Sequence, residues 1–125
     1  MKNNKAKVVA LSGDLGARKT TLTQELAKLL GVKENVVSPT FIIMKIYKIN
    51  SDSLYYSHFK KLIHIDAYRL DSHLELLKIG RQKLQDDKDN LIIIEWPERV
   101  SKCIPLLSFP VLLSHIKEDI REINF

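Results

Sequence analysis

The fold is decided by residues 7–31, which read KVVALSGDLGARKTTLTQELAKLLG. Residues 7–11 form a short β-branched apolar run that predicts a strand, and the glycines after it predict a loop. Leucines then recur at helical spacing over residues 20–30, and Gly31 is placed to end the helix. A strand, a glycine-containing loop and a helix in this order indicate an α/β domain.

The loop at residues 13–20 fits the phosphate-binding pattern G-x-x-x-x-G-K-[ST] at every fixed position except Arg18. In that pattern backbone amides at a helix N-terminus bind phosphate oxygens, the lysine reaches the β and γ phosphates, and the hydroxyl contacts Mg²⁺. Lys19 and Thr20 supply the last two groups. A lysine in the first turn opposes the helix dipole unless an anion binds there. The alternative is that the glycines only form a tight turn and the lysine is solvated.

Arg18 stands where a second glycine normally lets the backbone approach the nucleotide. Its side chain either clashes with the phosphates or swings outward and adds a positive charge beside them, and the sequence leaves both outcomes open. The residues expected to contact a nucleotide are Gly13, Asp14, Leu15, Gly16, Ala17, Arg18, Lys19, Thr20 and Thr21.

The remaining elements follow from the same kinds of pattern, and we see neither a repeat nor a linker, which predicts a single domain over residues 1–125. In chain order, we expect an antiparallel hairpin over 41–67, a helix from a capping box at Ser72 to about Leu84, an acidic turn over 86–90, a strand buried on both faces over 91–95, and two last strands over 111–116 and 121–125. The strands at 7–11 and 91–95 are expected to be central and parallel.

Two carboxylates are the candidate acidic groups of a metal site. Asp66 and Glu95 each lie at or near the end of a predicted strand, which is where α/β sheets bind ligands. Mg²⁺ on a nucleotide is usually held by one or two carboxylate or hydroxyl ligands and several waters. The alternatives are that Asp66 pairs with Arg69 or caps a turn, and that Glu95 is a solvated strand end.

Four other features have two interpretations each. His64 is more simply a structural histidine than a catalytic one, and Trp96 before Pro97 favours a packed loop over a binding platform. The segment 38–41, Ser-Pro-Thr-Phe, is either a turn into a strand or a loop that responds to nucleotide. Cys103 has no activating neighbour except a lysine, which favours an inert thiol.

Composition narrows the class of protein. The chain has 125 residues, 45% hydrophobic and 28% charged, which excludes whole-chain disorder. It shows no bilayer-length apolar run and no secretory signal, and one cysteine cannot form an internal disulfide, so we expect a cytoplasmic protein without a membrane role. The net charge is +5, with +7 in residues 1–62 and −2 in residues 63–125. A basic half favours a phosphate-bearing ligand or RNA, but the lysines are not interleaved with aromatic residues as in a nucleic-acid-reading surface.

Taken together, these stretches resemble the bacterial TsaE (YjeE) family, small P-loop ATPases needed to make threonylcarbamoyladenosine at position 37 of certain tRNAs. The matching pieces are 11–17 with 19–21, Ser38–Phe41 with Tyr47, HIDAYRL at 64–70, Ile79–Gly80, and IEWPE at 94–98. The resemblance implies that Lys19 and the loop backbone hold ATP phosphates, that Thr20 and Glu95 bind Mg²⁺, and that Asp66 lies near the metal and the attacking water, so that Lys19, Asp66 and Glu95 carry catalysis.

The resemblance also implies a three-layer P-loop NTPase fold with a mixed sheet. It further implies that the partners are the proteins TsaB and TsaD and that the chain contacts tRNA only indirectly, through their complex. The family's N-terminal strand and helix have no counterpart before residue 7, and we therefore expect them to be lacking. Arg18 leaves a rival function open, that of a non-hydrolysing interaction subunit that has lost ATP binding. A second rival, a small-molecule kinase, needs an acceptor pocket and arginines in a lid, and the second half of the chain has few arginines.

Overall fold

The computed structural model describes residues 5–13, 19–37, 44–50, 58–68, 84–98, 109–117 and 120–124. Within these ranges one strand precedes the helix at residues 19–30 along the chain and five strands follow it. The elements are β1 (Lys7–Gly13), α1 (Lys19–Leu30), β2 (Met44–Lys48), β3 (Lys61–Asp66), β4 (Asn90–Glu95), β5 (Phe109–Lys117) and β6 (Ile120–Asn124).

The six strands form one mixed sheet in the order β2-β3-β4-β1-β5-β6. The four inner strands are parallel, since β1 pairs in parallel with both β4 and β5, and β3 pairs in parallel with β4. The outer strands β2 and β6 run antiparallel to their neighbours. The structure thus confirms the central parallel strands, the hairpin of β2 and β3, and the two last strands.

The central strands are apolar because both faces of the sheet are covered. All six residues of β4 are buried, as the absence of alternation in its sequence predicts. One core cluster includes Leu62, Ile93 and Ala27 of α1, and it therefore lies on the helix side of the sheet. The second includes Ile63, Ile92 and Ile94, which alternate with the first set and face the other side.

Helix α1 ends in a Schellman motif, in which the glycine is required. The amide of Gly31 donates to the carbonyl of Lys28 at 3.1 Å, and the amide of Val32 donates to Ala27 at 3.0 Å. Gly31 has φ 90°, a left-handed conformation that costs other residues free energy. Leu29 is 48% exposed, whereas four other residues of α1 are buried: Lys19, Thr23, Ala27 and Leu30.

The chain enters β4 through a hydrogen-bonded turn. The amide of Asp87 donates to Leu84 at 3.3 Å and the amide of Asn90 donates to Asp87 at 3.1 Å, which confirms the acidic turn. Leu84 and Gln85 are helical, while the start of the helix expected from Ser72 lies outside the described residues. Among the described residues we find no helix long and apolar enough to cross a membrane.

Candidate functional site

Buried polar side chains gather where three parallel strands end beside the N-terminus of α1. Asp66 closes β3 and Glu95 closes β4, and the sheet register pairs Asp66 with Glu95 and Glu95 with Leu11 of β1. Register partners point to the same face, here the face covered by α1. We call this group the carboxyl-end cluster; its members are Lys19, Thr20, His64, Asp66, Glu95 and Trp96.

Lys19 is a buried lysine in the first turn of α1. It is only 6% exposed. Its Nζ donates to the carbonyl oxygen of Gly13 at the end of β1, and it lies 3.8 Å from the centroid of the Trp96 ring. A carbonyl dipole and an aromatic face both stabilise an ammonium group. The lysine is therefore held at the loop between β1 and α1, and the interpretation of Lys19 as a solvated side chain is wrong.

Trp96 connects the end of β4 to this lysine. Its φ is 59°, which places a bulky residue in the left-handed region and costs about 1–3 kcal/mol. The Trp96 ring packs against the ring of Tyr68 with centroids 5.0 Å apart and an angle of 52°. Trp96 is therefore a packed residue, as its sequence context favours, but it is packed against the ammonium group of Lys19.

Thr20 faces the carboxylate of Glu95 across the gap between helix and sheet. Its Oγ1 lies 3.5 Å from Oε1 and 3.4 Å from Oε2. A hydroxyl and a carboxylate form an all-oxygen donor pair, which suits a hard cation such as Mg²⁺. Among the described residues no three His, Cys, Asp or Glu side chains form a metal-holding group. Mg²⁺ on a nucleotide takes few protein ligands, so the pair present fits that ion.

Glu95 is 3% exposed, and the interpretation of this residue as a solvated strand end is wrong. Strand β4 is buried along its whole length, so its last side chain projects beneath α1 rather than into water. The structure thus places a carboxylate where its charge interacts with neighbouring groups in a poorly solvated environment.

Asp66 is 6% exposed and lies beside Glu95 in the adjacent strand. Its Oδ1 accepts a hydrogen bond from the backbone amide of Tyr68 at 2.9 Å. This contact is the turn-capping role that the sequence allowed, and it fixes one carboxylate oxygen at the strand end. Capping and a role in the site are compatible, because the capped side chain still lies in the carboxyl-end cluster.

His64 has no exposed surface, and its Nε2 contacts Oε2 of Glu95. The sequence favoured a structural histidine, and the burial agrees with that. The hydrogen-bond partner of the ring, however, is Glu95, a member of the candidate site. The sequence places His64 on the same strand face as Asp66, two residues before it, but only the pairing of β3 with β4 brings the ring to Glu95.

The contacts of three further residues were not expected from the sequence. Gln24 of α1 donates from Nε2 to the carbonyl of Val36 at 2.6 Å, and the hydroxyl of Tyr47 lies 3.3 Å from the amide of Val37. These two side chains anchor the backbone just before segment 38–41. The third is Tyr68, which follows Asp66 by two residues in the quoted stretch 64–70 and packs on Trp96.

Not all of the candidate residues belong to the part of the chain that the structure describes. Residues 14–18, segment 38–41, Arg69, residues 79–80 and Cys103 all lie outside the described residues. Thr21 is described, and it is an exposed residue in the first turn of α1.

A cavity of about 360 Å³ lies between α1 and the segment that follows it. Its lining includes Gln24, Lys28, Glu34 and Val37, and no member of the carboxyl-end cluster. The buried charges and the hydroxyl therefore lie apart from this cavity, and the chemistry of the site is that of the cluster.

A family model for the threonylcarbamoyl adenosine biosynthesis protein TsaE matches residues 1–123. The chain belongs to the TsaE family. The structure agrees, because 97% of the chain superimposes on 68% of the crystal structure of YdiB of Bacillus subtilis, with a TM-score of 0.70 and 27% sequence identity. The expected α/β fold of this family is therefore confirmed.

Several curated relatives carry the name tRNA threonylcarbamoyladenosine biosynthesis protein TsaE. The Streptomyces coelicolor protein is 40% identical over 94 residues, covering 73% of this chain and 57% of the relative. The Rickettsia typhi protein is 35% identical over 111 residues, covering 88% of this chain and 68% of the relative. The Bacillus subtilis protein is 32% identical over 118 residues, covering 94% and 68%. The chain thus spans little more than half the length of the Streptomyces TsaE.

Proposed function

We propose that this chain binds Mg-ATP at the carboxyl-end cluster and hydrolyses it slowly, as a component of the machinery that makes threonylcarbamoyladenosine at position 37 of tRNA. The observation that carries the proposal is the convergence of Lys19, Thr20, Asp66 and Glu95 at one end of the parallel strands. A cation, a hydroxyl and two carboxylates are the groups that phosphoryl transfer from a nucleotide requires.

The phosphates would be bound by Lys19 together with backbone amides of the loop before α1. Lys19 is already desolvated and held at the start of the helix, where the helix dipole favours an anion. A buried cation interacts more strongly with phosphate than a solvated one does. During hydrolysis Lys19 stabilises the negative charge on the β and γ phosphates without first having to leave water.

Thr20 and Glu95 are the residues that would hold Mg²⁺. The ion, when bound, neutralises phosphate charge and polarises the phosphoryl oxygens as a Lewis acid. Asp66 lies next to Glu95 with one oxygen fixed by the amide of Tyr68. We assign to Asp66 the orientation of the attacking water, and its place beside Glu95 supports this role.

We propose that TsaB and TsaD are the partners of this chain and that it contacts tRNA only indirectly, through them. Its membership of the TsaE family supports this proposal. In this view a loop would be ordered while nucleotide and metal are bound and would be released after hydrolysis, which would change the affinity for the partner. The proposed responsive loop is segment 38–41. It directly follows residues 36–37, whose backbone is hydrogen-bonded to Gln24 and Tyr47.

Arg18 favours a second candidate, a non-hydrolysing interaction subunit. A side chain at the position of the second motif glycine would keep the nucleotide away from the loop backbone. Such a protein would bind TsaB and TsaD equally well with and without ATP.

The test is calorimetric titration of Mg-ATP into the unmodified chain, Lys19→Ala and Arg18→Gly. Lys28→Ala is the matched control, because Lys28 lies on the same helix with its side chain 73% exposed. We expect micromolar binding to the unmodified chain and to Lys28→Ala, and none to Lys19→Ala. Binding by Arg18→Gly alone would instead support the interaction subunit.

Turnover is tested by phosphate release from ATP with purified TsaB and TsaD present. We expect the double variant Asp66→Ala, Glu95→Ala to lose hydrolysis, since it lacks both carboxylates. Normal turnover by this variant would count against the catalytic assignment, even if ATP still bound.

A further inference from the structure

We propose that His64 is a positioning residue, which fixes the carboxylate of Glu95 so that Glu95 and Thr20 form a metal-binding pair before the metal arrives. The inference rests on the proposed function, because the metal in question is the one that accompanies the nucleotide.

The sheet brings His64 and Glu95 together on its helix side. His64 pairs in register with Ile93, and Glu95 follows two residues later on the same face of β4, so the two side chains are diagonal neighbours. The His64 side chain is 0% exposed and that of Glu95 is 4% exposed. Nε2 of His64 contacts Oε2 of Glu95 in this buried environment.

The direction of this hydrogen bond follows from the chemistry of the two groups. A carboxylate that binds a metal is ionised and offers only acceptors, so in the metal-binding form Nε2 carries the hydrogen and donates it to Oε2. The other ring nitrogen, Nδ1, is buried and has no hydrogen-bond partner within the part of the chain that the structure describes. A histidine kept only to tie the fold together would be expected to use both nitrogens. Among the described residues, the polar contact of the His64 ring is with Glu95, a member of the carboxyl-end cluster.

A glutamate side chain rotates about several covalent bonds, and a hydrogen bond to one carboxylate oxygen removes most of that conformational freedom. His64 engages Oε2, and the hydroxyl of Thr20 lies within 3.5 Å of both oxygens. Ordering the carboxylate in advance lowers the entropy cost of binding a metal. Partners of metal ligands typically contribute about 10- to 100-fold in metal affinity.

The experiment compares the affinity for a non-hydrolysable ATP analogue with Mg²⁺ and with EDTA, by calorimetry. The proteins are the unmodified chain, His64→Leu and His64→Gln, because a glutamine amide reaches close to the position of Nε2. Ile65→Val is the matched control, since Ile65 is equally buried on the same strand but belongs to the cluster on the other face.

We expect His64→Leu to lose about 10- to 100-fold in affinity with Mg²⁺ and to change less than about two-fold in EDTA, on the scale typical of such partners. His64→Gln should recover most of the loss, and Ile65→Val should match the unmodified chain. Equal losses with Mg²⁺ and EDTA, or no loss with Mg²⁺, would overturn the positioning role. If His64→Leu fails to fold, as circular dichroism would show, His64→Asn takes its place, because its shorter amide does not reach Glu95.

The two proposals fail in different ways. If the unmodified chain binds the analogue neither with Mg²⁺ nor with EDTA, the proposed function fails and this inference fails with it. If it binds with Mg²⁺ and His64→Leu binds as well, the inference alone is overturned.

Discussion

The two ends of the parallel strands carry charged groups in opposite surroundings. At the amino end the ion pairs are exposed: Lys5 lies 3.7 Å from Asp86, and Lys60 lies 3.9 Å from Asp89, with both lysine side chains more than half exposed. At the carboxyl end the pair of His64 and Glu95 is buried, and the ammonium of Lys19 is held against Trp96.

The two ends differ in how their charged groups affect the free energy of folding. Exposed pairs are solvated and screened by salt, and they contribute at most about 1 kcal/mol. Buried charges are costly to desolvate, so they persist only where neighbouring groups compensate them. A strained Trp96 in the left-handed region adds a further cost at the same end. Strain and buried ionisable side chains collected at one end of the sheet are typical of a functional site. At the amino end, by contrast, the described ion pairs lie at the surface.

The largest effect is expected from Glu95→Ala at the carboxyl end. It removes the proposed metal ligand and leaves the buried Nε2 of His64 without its partner, which costs about 1–3 kcal/mol. We expect Mg-ATP affinity to fall by about 100-fold or more, in line with a loss of at least about 2.7 kcal/mol. Calorimetry measures the affinity and urea denaturation measures the free energy of unfolding.

Asp89→Ala is the control for this variant, because it removes a carboxylate from the amino end. Its ATP affinity should be that of the unmodified chain. If both variants change the free energy of unfolding equally, the contrast between the two ends is wrong.

A smaller effect is expected from the backbone of Trp96, which a pair of variants isolates. Trp96→Ala and Trp96→Gly both remove the ring from Lys19 and Tyr68, but only glycine tolerates φ 59° without strain. We therefore expect the glycine variant to be more stable than the alanine variant by about 1 kcal/mol, the scale of the left-handed penalty. Thermal and urea unfolding measure the difference. An alanine variant of equal or greater stability would show that no strain is stored there.

The smallest effect is expected at the amino end, from a double-mutant cycle on Lys60 and Asp89. The coupling free energy between Lys60→Ala and Asp89→Ala should be below about 0.5 kcal/mol, because the lysine side chain is 78% exposed. It should vanish in high salt, since exposed charges are screened. The measurement is urea unfolding at low and high ionic strength, and a coupling above about 1 kcal/mol that survives salt would contradict this view.

Much of the fold could be predicted because the local patterns agree with one another. The unbroken apolar run at 91–95 indicated a strand covered on both faces, and all of β4 is buried. Gly31 was expected to end α1, and it closes a Schellman motif. The leucine spacing predicted the helix, and Leu30 with the partly buried Leu22 and Leu26 faces the core, but the spacing could not show that Leu29 lies outside it. Thr23 and Ala27 are buried while Leu29 is exposed, because small residues let the helix lie close to the sheet.

Less of the candidate site could be predicted. Lys19, Thr20, Asp66 and Glu95 could be selected from a motif and from strand ends. The burial of Glu95 and the contact of Lys19 with Trp96 could not, because each depends on how α1 lies over the sheet. The sequence also left His64 as a structural residue, since nothing local shows that a ring on β3 meets a carboxylate on β4.

What the sequence by itself determined is therefore the order of elements, the parallel centre of the sheet and the family to which the chain belongs. Local periodicity and turn residues specify these features, and they act within a few residues of one another. Only the tertiary structure decided which polar groups are desolvated and which side chains meet. Register between strands distant in sequence sets these contacts, and Asp66, Glu95 and Thr20 become neighbours only when the sheet and the helix are assembled.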